Sequence, residues 1–251
     1  MSGHSKWSTI KRKKGAEDAK RGKIFTRIAR EITQAAREGG GDPNANAALR
    51  LAIEKARAAN MPKDNIERAI QRGTGGGDDA VALESVTYEG YAAGGAAILV
   101  DTLTDNKNRT LAEVKYVFNR SGGSLASAGS VAWQFDQKGL ISVSAEKVDF
   151  DALFLLAADA GAEDVIEEGE SITIYTPREA LAEVAGKLRQ AGYTIEDAKL
   201  TWVAKNEIEL DRDDTLKVMG LIEKLEELDD VSNVSSNVSI SDEILESLQV
   251  A

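Results

Sequence analysis

Cysteine is absent from this 251-residue chain, and histidine occurs once, at His4. The first absence excludes disulfides, a thiolate nucleophile and Cys-ligated zinc, and it fits a reducing cytoplasm. The second leaves no donor set for a protein-built transition-metal site, so neither a metal nor another cofactor is expected. Long apolar runs are also missing. The longest, Ala152-Leu153-Phe154-Leu155-Leu156-Ala157-Ala158, and the shorter Ala96-Ala97-Ile98-Leu99-Val100 fall far short of the roughly 20 residues that cross a bilayer as a helix. The basic start is not followed by the apolar segment of a secretory signal, and Glu17 and Asp18 weigh against a mitochondrial presequence. A soluble cytoplasmic protein with no membrane association is the expectation.

What the chain has in quantity is charge, unevenly placed. It carries 42 Asp and Glu against 31 Lys and Arg, a net −11. Residues 1–75 nevertheless hold 17 bases and 8 acids, a net +9, which leaves −20 on the remainder. Such a split points to separate units with separate partners. Its boundary coincides with Arg72-Gly73-Thr74-Gly75-Gly76-Gly77-Asp78-Asp79. This stretch lacks the GxxxxGK[ST] pattern of a phosphate loop and reads as a helix C-cap followed by a hinge.

Periodicity divides the chain the same way. Ile24, Phe25, Ile28, Ile32 and Ala35 recur at helical spacing up to Gly39-Gly40-Gly41. A second helix places Leu49, Ile53 and Ala56 on one face, and a third carries Ile66, Ala69 and Ile70 to Gly73. Residues 1–16 show no such stripe and read as an arm, mobile when no ligand is bound. Beyond the glycines the period changes to two. Strands are predicted at 86–89, 96–101 and 131–135, around a helix over 108–119 with Leu111, Val114, Val117 and Phe118 inward. Residues 139–203 follow a β-α-β-β-α-β order, with Pro177 at the first turn of the second helix. The tail adds a strand near 207–210, a helix over 213–228 and a strand over 231–240.

The expected fold class is therefore α+β with three domains: a small N-terminal helical bundle and two α+β domains, one ferredoxin-like and inserted in the other. The predicted limits are 1–77 for the basic arm and three-helix domain. The discontinuous domain covers 78–137 plus 204–251, and the insert covers 138–203.

A cationic arm on an acidic body calls for a polyanion. Each phosphate met by Lys or Arg releases condensed counterions, so Lys11, Arg12, Lys13 and Lys14 attract nucleic acid without reading its sequence. Lys20, Arg21, Lys23, Arg27 and Arg30 extend the charge into the first helix, most of it along one stripe. Trp7 beside Lys6 suits stacking on an exposed base, and His4 is a candidate phosphate donor. Lys107 and Arg109, at the start of a helix where N–H groups favour an anion, form a second candidate. Plainer readings stand beside these. A basic run is often a solvated helix end, Trp7 can pin the arm to the bundle, and Asn or Thr capping explains residues 106–110 as well. The acidic remainder either docks a basic protein, such as one of the ribosome, or serves solubility.

Several stretches in order resemble the YebC family: Gly3-His4-Ser5-Lys6-Trp7, Asp18-Ala19-Lys20-Arg21-Gly22-Lys23-Ile24-Phe25, Met61-Pro62-Lys63-Asp64-Asn65-Ile66, Tyr88-Glu89-Gly90-Tyr91, Leu103-Thr104-Asp105-Asn106, Asn108-Arg109-Thr110, Gly129-Ser130-Val131-Ala132 and Asp229-Asp230-Val231. Together they span nearly the full length. Ala92-Ala93, Ala204 and Ser235 depart from the family pattern, where Gly-Pro, proline and tyrosine are usual. The resemblance implies a three-domain protein with a central cleft. Its bacterial members are described as transcriptional regulators, and a mitochondrial relative as a translational activator of cytochrome c oxidase. It supplies no catalytic residue, and with no nucleophile or metal constellation in the sequence a non-enzymatic protein is expected. The leading expectation is a monomeric DNA-binding transcriptional regulator. The alternative is a ribosome-associated translation factor that uses the same cations on RNA.

Overall fold

The structure is a computed structural model that describes residues 17–75, 83–169 and 171–240, with the backbone alone described at 17–21 and 168. Its fold class is α+β. Helices α1 (Glu17–Gly39), α2 (Ala47–Ala58) and α3 (Lys63–Gly73) come first. Their apolar faces close on a core of Ile28, Ile32, Leu49, Ile53, Met61 and Ile66. Ile24, part of the predicted stripe, lies a turn before that core begins and is exposed.

Polar side chains set the angles of this bundle. Asn46 caps α2 by accepting from the Leu49 N–H at 3.0 Å. Its amide nitrogen donates to the carbonyls of Ala35 at 2.7 Å and Gly40 at 2.9 Å, tying the cap to the end of α1. Gly40 takes the left-handed conformation that ends α1 (φ +84°). Thr33 on α1 donates to the Ala69 carbonyl of α3. There α3 comes so close that a Cβ on Gly73 would lie 2.7 Å from the Ala36 Cβ and 3.1 Å from the Arg37 nitrogen. Gly73, expected only as a helix stop, is a buried contact residue.

The next elements are β1 (Glu84–Tyr91), β2 (Ala97–Thr104), α4 (Lys107–Arg120) and β3 (Ser124–Leu125). Then come β4 (Phe135–Ser144), α5 (Phe150–Ala160), β5 (Asp164–Glu168), β6 (Ser171–Pro177) and α6 (Leu181–Gln190). The chain continues through β7 (Ile195–Ala204), β8 (Ile208–Glu209), α7 (Arg212–Glu226), β9 (Val231–Ser236) and β10 (Val238–Ser239). β4 to β7 form a four-stranded sheet in the order β5-β6-β4-β7, the ferredoxin-like arrangement. Its core of Ile141, Val143, Leu153, Ile172, Ile174, Val184 and Leu188 also receives Leu51 from α2.

A second sheet has the order β3-β1-β2-β9, with β1 antiparallel to β2 and β2 antiparallel to β9. β2 is central and buried on both faces, which is why its first half, Ala97 to Val100, is a continuous apolar run rather than an alternation. Ile98 and Val100 meet Val114 and Phe118 of α4 and Val218, Leu221 and Ile222 of α7. Ala97 and Leu99, on the opposite face, meet Val131, Phe135 and Trp202. β8 and β10 pair in parallel. The chain groups into two compact units. One holds the bundle with the ferredoxin-like elements, and the other holds the β3-β1-β2-β9 sheet with α4 and α7.

Three local expectations are corrected. The strand predicted over 131–135 is a 3-10 turn at Ala132–Gln134, and the strand begins only at Phe135. A strand would have put Val131, Trp133 and Phe135 on one face. The turn buries Val131 and Phe135 and leaves Trp133 67% exposed. Leu111, expected inward, is exposed, and Thr110 is the buried residue of that turn of α4. Pro177 ends β6 ahead of a 3-10 turn, and α6 starts at Leu181. No helix among the described residues is long and apolar enough to cross a membrane.

Candidate nucleic-acid interface

Of the predicted phosphate-binding residues, His4, Lys6, Trp7, Lys11, Arg12, Lys13 and Lys14 lie outside the described residues, as does the predicted arm. So do the side chains of Lys20 and Arg21, whose backbone belongs to α1. Lys23 is exposed and Arg27 and Arg30 are half-buried, and all three are engaged in interactions within the protein. At 3.6 residues per turn these three share one stripe, turned away from Ile28 and Ile32. The bundle adds exposed bases that periodicity did not single out: Arg50 and Arg57 on α2, Arg68 and Arg72 on α3. Residues 21–75 hold 11 Lys and Arg against 6 Asp and Glu, so the bundle itself is cationic. The signal that could have found these bases is their position on the polar faces of helices whose apolar faces were already recognised.

Lys107 and Arg109 are placed otherwise. Asn106 caps α4, its side chain accepting from the Arg109 N–H at 3.1 Å. Lys107 pairs with Glu84 at 2.5 Å, and Arg109 with Asp105 at 2.7 Å and Asp230 at 2.6 Å. Hydrogen bonds to Asp230 and Asp105 push the Arg109 pKa further up, so the guanidinium stays charged at every accessible pH. The helix N-terminus predicted as an anion site is thus lined by carboxylates of the protein itself.

Asp230 is the centre of a larger knot. Its side chain is 2% exposed. Besides Arg109, its Oδ2 accepts from the hydroxyls of Thr110 at 2.6 Å and Thr104 at 3.0 Å. Two stretches far apart in sequence, 104–110 and the segment around 230, therefore meet at one carboxylate. A charge this buried is tolerable only with several donors around it.

A second buried acid organises the loop before β4. Glu89 on β1 is 7% exposed. Its Oε1 accepts from the Gly129 N–H at 2.6 Å, and Oε2 from the N–H groups of Val131 at 2.7 Å and Ala132 at 2.9 Å. Burial pushes this carboxyl up, but the backbone donors of Gly129, Val131, Ala132 and Ser130 together outweigh it and hold the pKa below the usual glutamate value. The loop so pinned presents Trp133. Its indole N–H donates to the Ser130 carbonyl at 3.0 Å, and the Tyr91 hydroxyl donates to the same oxygen at 3.1 Å.

Elsewhere, a cavity of about 230 Å³ lies beside α2 and β7, lined by Leu51, Glu54, Lys55, Arg189 and Asp197. The Arg189–Glu54 ion pair joins α6 to α2 there.

Comparison with known proteins covers nearly the whole chain. Residues 5–76 match the TACO1/YebC protein N-terminal domain, and residues 83–238 match the TACO1/YebC second and third domain. A probable transcriptional regulatory protein of Herpetosiphon aurantiacus is 54% identical, over 98% of both chains. A protein of the same description from Acidithiobacillus ferrooxidans is also 54% identical, over 99% of both. The crystal structure of a conserved hypothetical protein from Aquifex aeolicus superposes with a TM-score of 0.85 at 46% identity, covering 91% of this chain and 94% of that one.

Proposed function

Because this chain belongs to the TACO1/YebC family, we propose that it is a nucleic-acid-binding regulator of gene expression, with DNA as ligand and transcription as the process regulated. Phosphates are gripped by the basic N-terminal segment and the first helix, through Lys11 to Lys14, Lys20, Arg21, Lys23, Arg27 and Arg30. No reaction is assigned to the protein. One observation carries the proposal: +9 on residues 1–75 against −20 on the rest. The long-range pull on a polyanion is concentrated on the first segment. The names of the bacterial relatives, transcriptional regulatory proteins, support the same reading.

The test is the salt dependence of duplex binding by the full chain with Lys11, Arg12, Lys13 and Lys14 replaced by alanine. Every phosphate left without its cation lowers the slope of log K against log salt by about 0.9, so a drop of up to about 3–4 is expected. Unchanged affinity at low salt refutes the assignment. The acidic remainder favours a second reading, a translation factor whose −20 segment docks a basic ribosomal protein while the same cations hold RNA. Crosslinking in cells followed by sequencing separates the two, since promoter DNA supports the first and ribosomal or messenger RNA the second.

A further inference from the structure

We propose that Trp133 and Tyr91 form a stacking platform for an unpaired nucleobase, a contact for single-stranded nucleic acid separate from the basic N-terminal segment. This deepens the nucleic-acid reading above and rests on it. The motivating fact is an aromatic ring that the backbone holds out of the core. The pattern of 131–135 favours a strand that would bury Trp133 beside Val131 and Phe135. The 3-10 turn instead leaves Trp133 67% and Tyr91 38% exposed.

The turn is braced from every side. Glu89 holds the N–H groups of Gly129, Val131 and Ala132. The backbone N–H of Lys205 donates to the Gln134 carbonyl at 2.8 Å, and the Asn237 side chain donates to Gln134 Oε1 at 3.3 Å. A ring fixed before binding loses little freedom on meeting a ligand.

The chemistry of the exposed surface selects the occupant. Both polar hydrogens, the indole N–H and the phenol O–H, are spent on the Ser130 carbonyl, so apart from the phenol oxygen as an acceptor what remains on offer is π-face. Every nucleobase has a complementary face, and such stacking is tolerant of sequence. Near Trp133 in the chain, Ser127, Ala128, Gly129 and Asp136 are exposed. Lys205 Nζ donates to the Trp133 carbonyl at 3.0 Å and keeps a 45% exposed side chain. It shares its charge with Asp136 at 3.4 Å, and its bond to the Trp133 carbonyl keeps a cation beside the turn that carries the ring.

The experiment uses the full chain, an unstructured fluorescein-labelled oligothymidylate, and a duplex of equal length. Trp133→Ala should weaken the single strand on the order of 10-fold and leave the duplex unchanged, with Trp133→Phe restoring most of the affinity. In a Trp7→Phe background, the oligonucleotide should quench tryptophan fluorescence, and Trp133→Phe should abolish that quenching. Equal urea midpoints for the Trp133 variants and wild type show that the fold is intact. Equal weakening of single strand and duplex overturns the platform, because stacking acts only on the former. So does unchanged binding of both, even where the Lys11–Lys14 variant loses affinity; that combination leaves the arm standing as the binding element. Weaker binding on Trp133→Ala alone, with the arm variant unaffected, upholds the platform and refutes the arm.

Discussion

Replacing Glu89 by glutamine separates the charge of the buried carboxylate from its shape. One glutamine oxygen can take over from Oε2 and accept from Val131 and Ala132. The amide NH₂ must then face the Gly129 N–H, donor against donor, where the carboxylate accepts at 2.6 Å. Losing a hydrogen bond to a charged group removes about 1.5–3 kcal/mol. The two remaining bonds lose their charge assistance, offset in part by the easier burial of a neutral amide. A net loss of about 2–3 kcal/mol corresponds to about 30- to 150-fold faster exchange of protected amides. Hydrogen exchange should therefore accelerate by that factor at Gly129, Val131 and Ala132, while the amides of β5 and β6 in the other compact unit change little. Site-resolved exchange is preferable to a single unfolding midpoint, because two units need not melt together.

The same residue gives a pH dependence of known sign. Glu89 titrates lower in the folded protein than in the unfolded chain. Its contribution is present above the ordinary carboxylate range and is lost as pH falls through the depressed folded value. Wild type should lose protection of this loop in acid, and the glutamine variant should lose less over the same range. Equal exchange in the two proteins at neutral pH would refute the role given to Glu89 in the loop.

Four further substitutions test the packing. Asn46→Asp should destabilise the bundle by about 2 kcal/mol in thermal unfolding; aspartate is as good a cap as asparagine in general, but here it sets an oxygen against the Ala35 and Gly40 carbonyls. Gly73→Ala should cost about 1–3 kcal/mol through overpacking against α1, whereas Gly186→Ala, in the middle of α6 with open space at its Cβ, should stabilise by about 0.5–1 kcal/mol. Asp230→Asn should cost about 2 kcal/mol and, in a double-mutant cycle with Arg109→Ala, show coupling of at least about 0.5 kcal/mol; strict additivity would mean that the two do not act as a pair.

Much of the fold was present in the order of periods along the chain. The three amphipathic helices, the central strand with no polar alternation and the β-α-β-β-α-β order each depend on neighbours within a few residues. So does the charge contrast across the glycines, which composition alone determines. The residues that organise the candidate surfaces were not accessible that way. In the sequence Glu89 is one position of a predicted strand, Asp230 one of two adjacent acids ahead of another, and Trp133 one position of a third. Each acquires its role from partners about 40 or more positions away: the loop amides at 129–132 for Glu89, Thr104 and Arg109 for Asp230, and Tyr91 with Lys205 for the Trp133 turn. Local pattern records which face of an element is apolar. Only the tertiary structure decides which buried charge finds enough donors, and which aromatic ring is left outside.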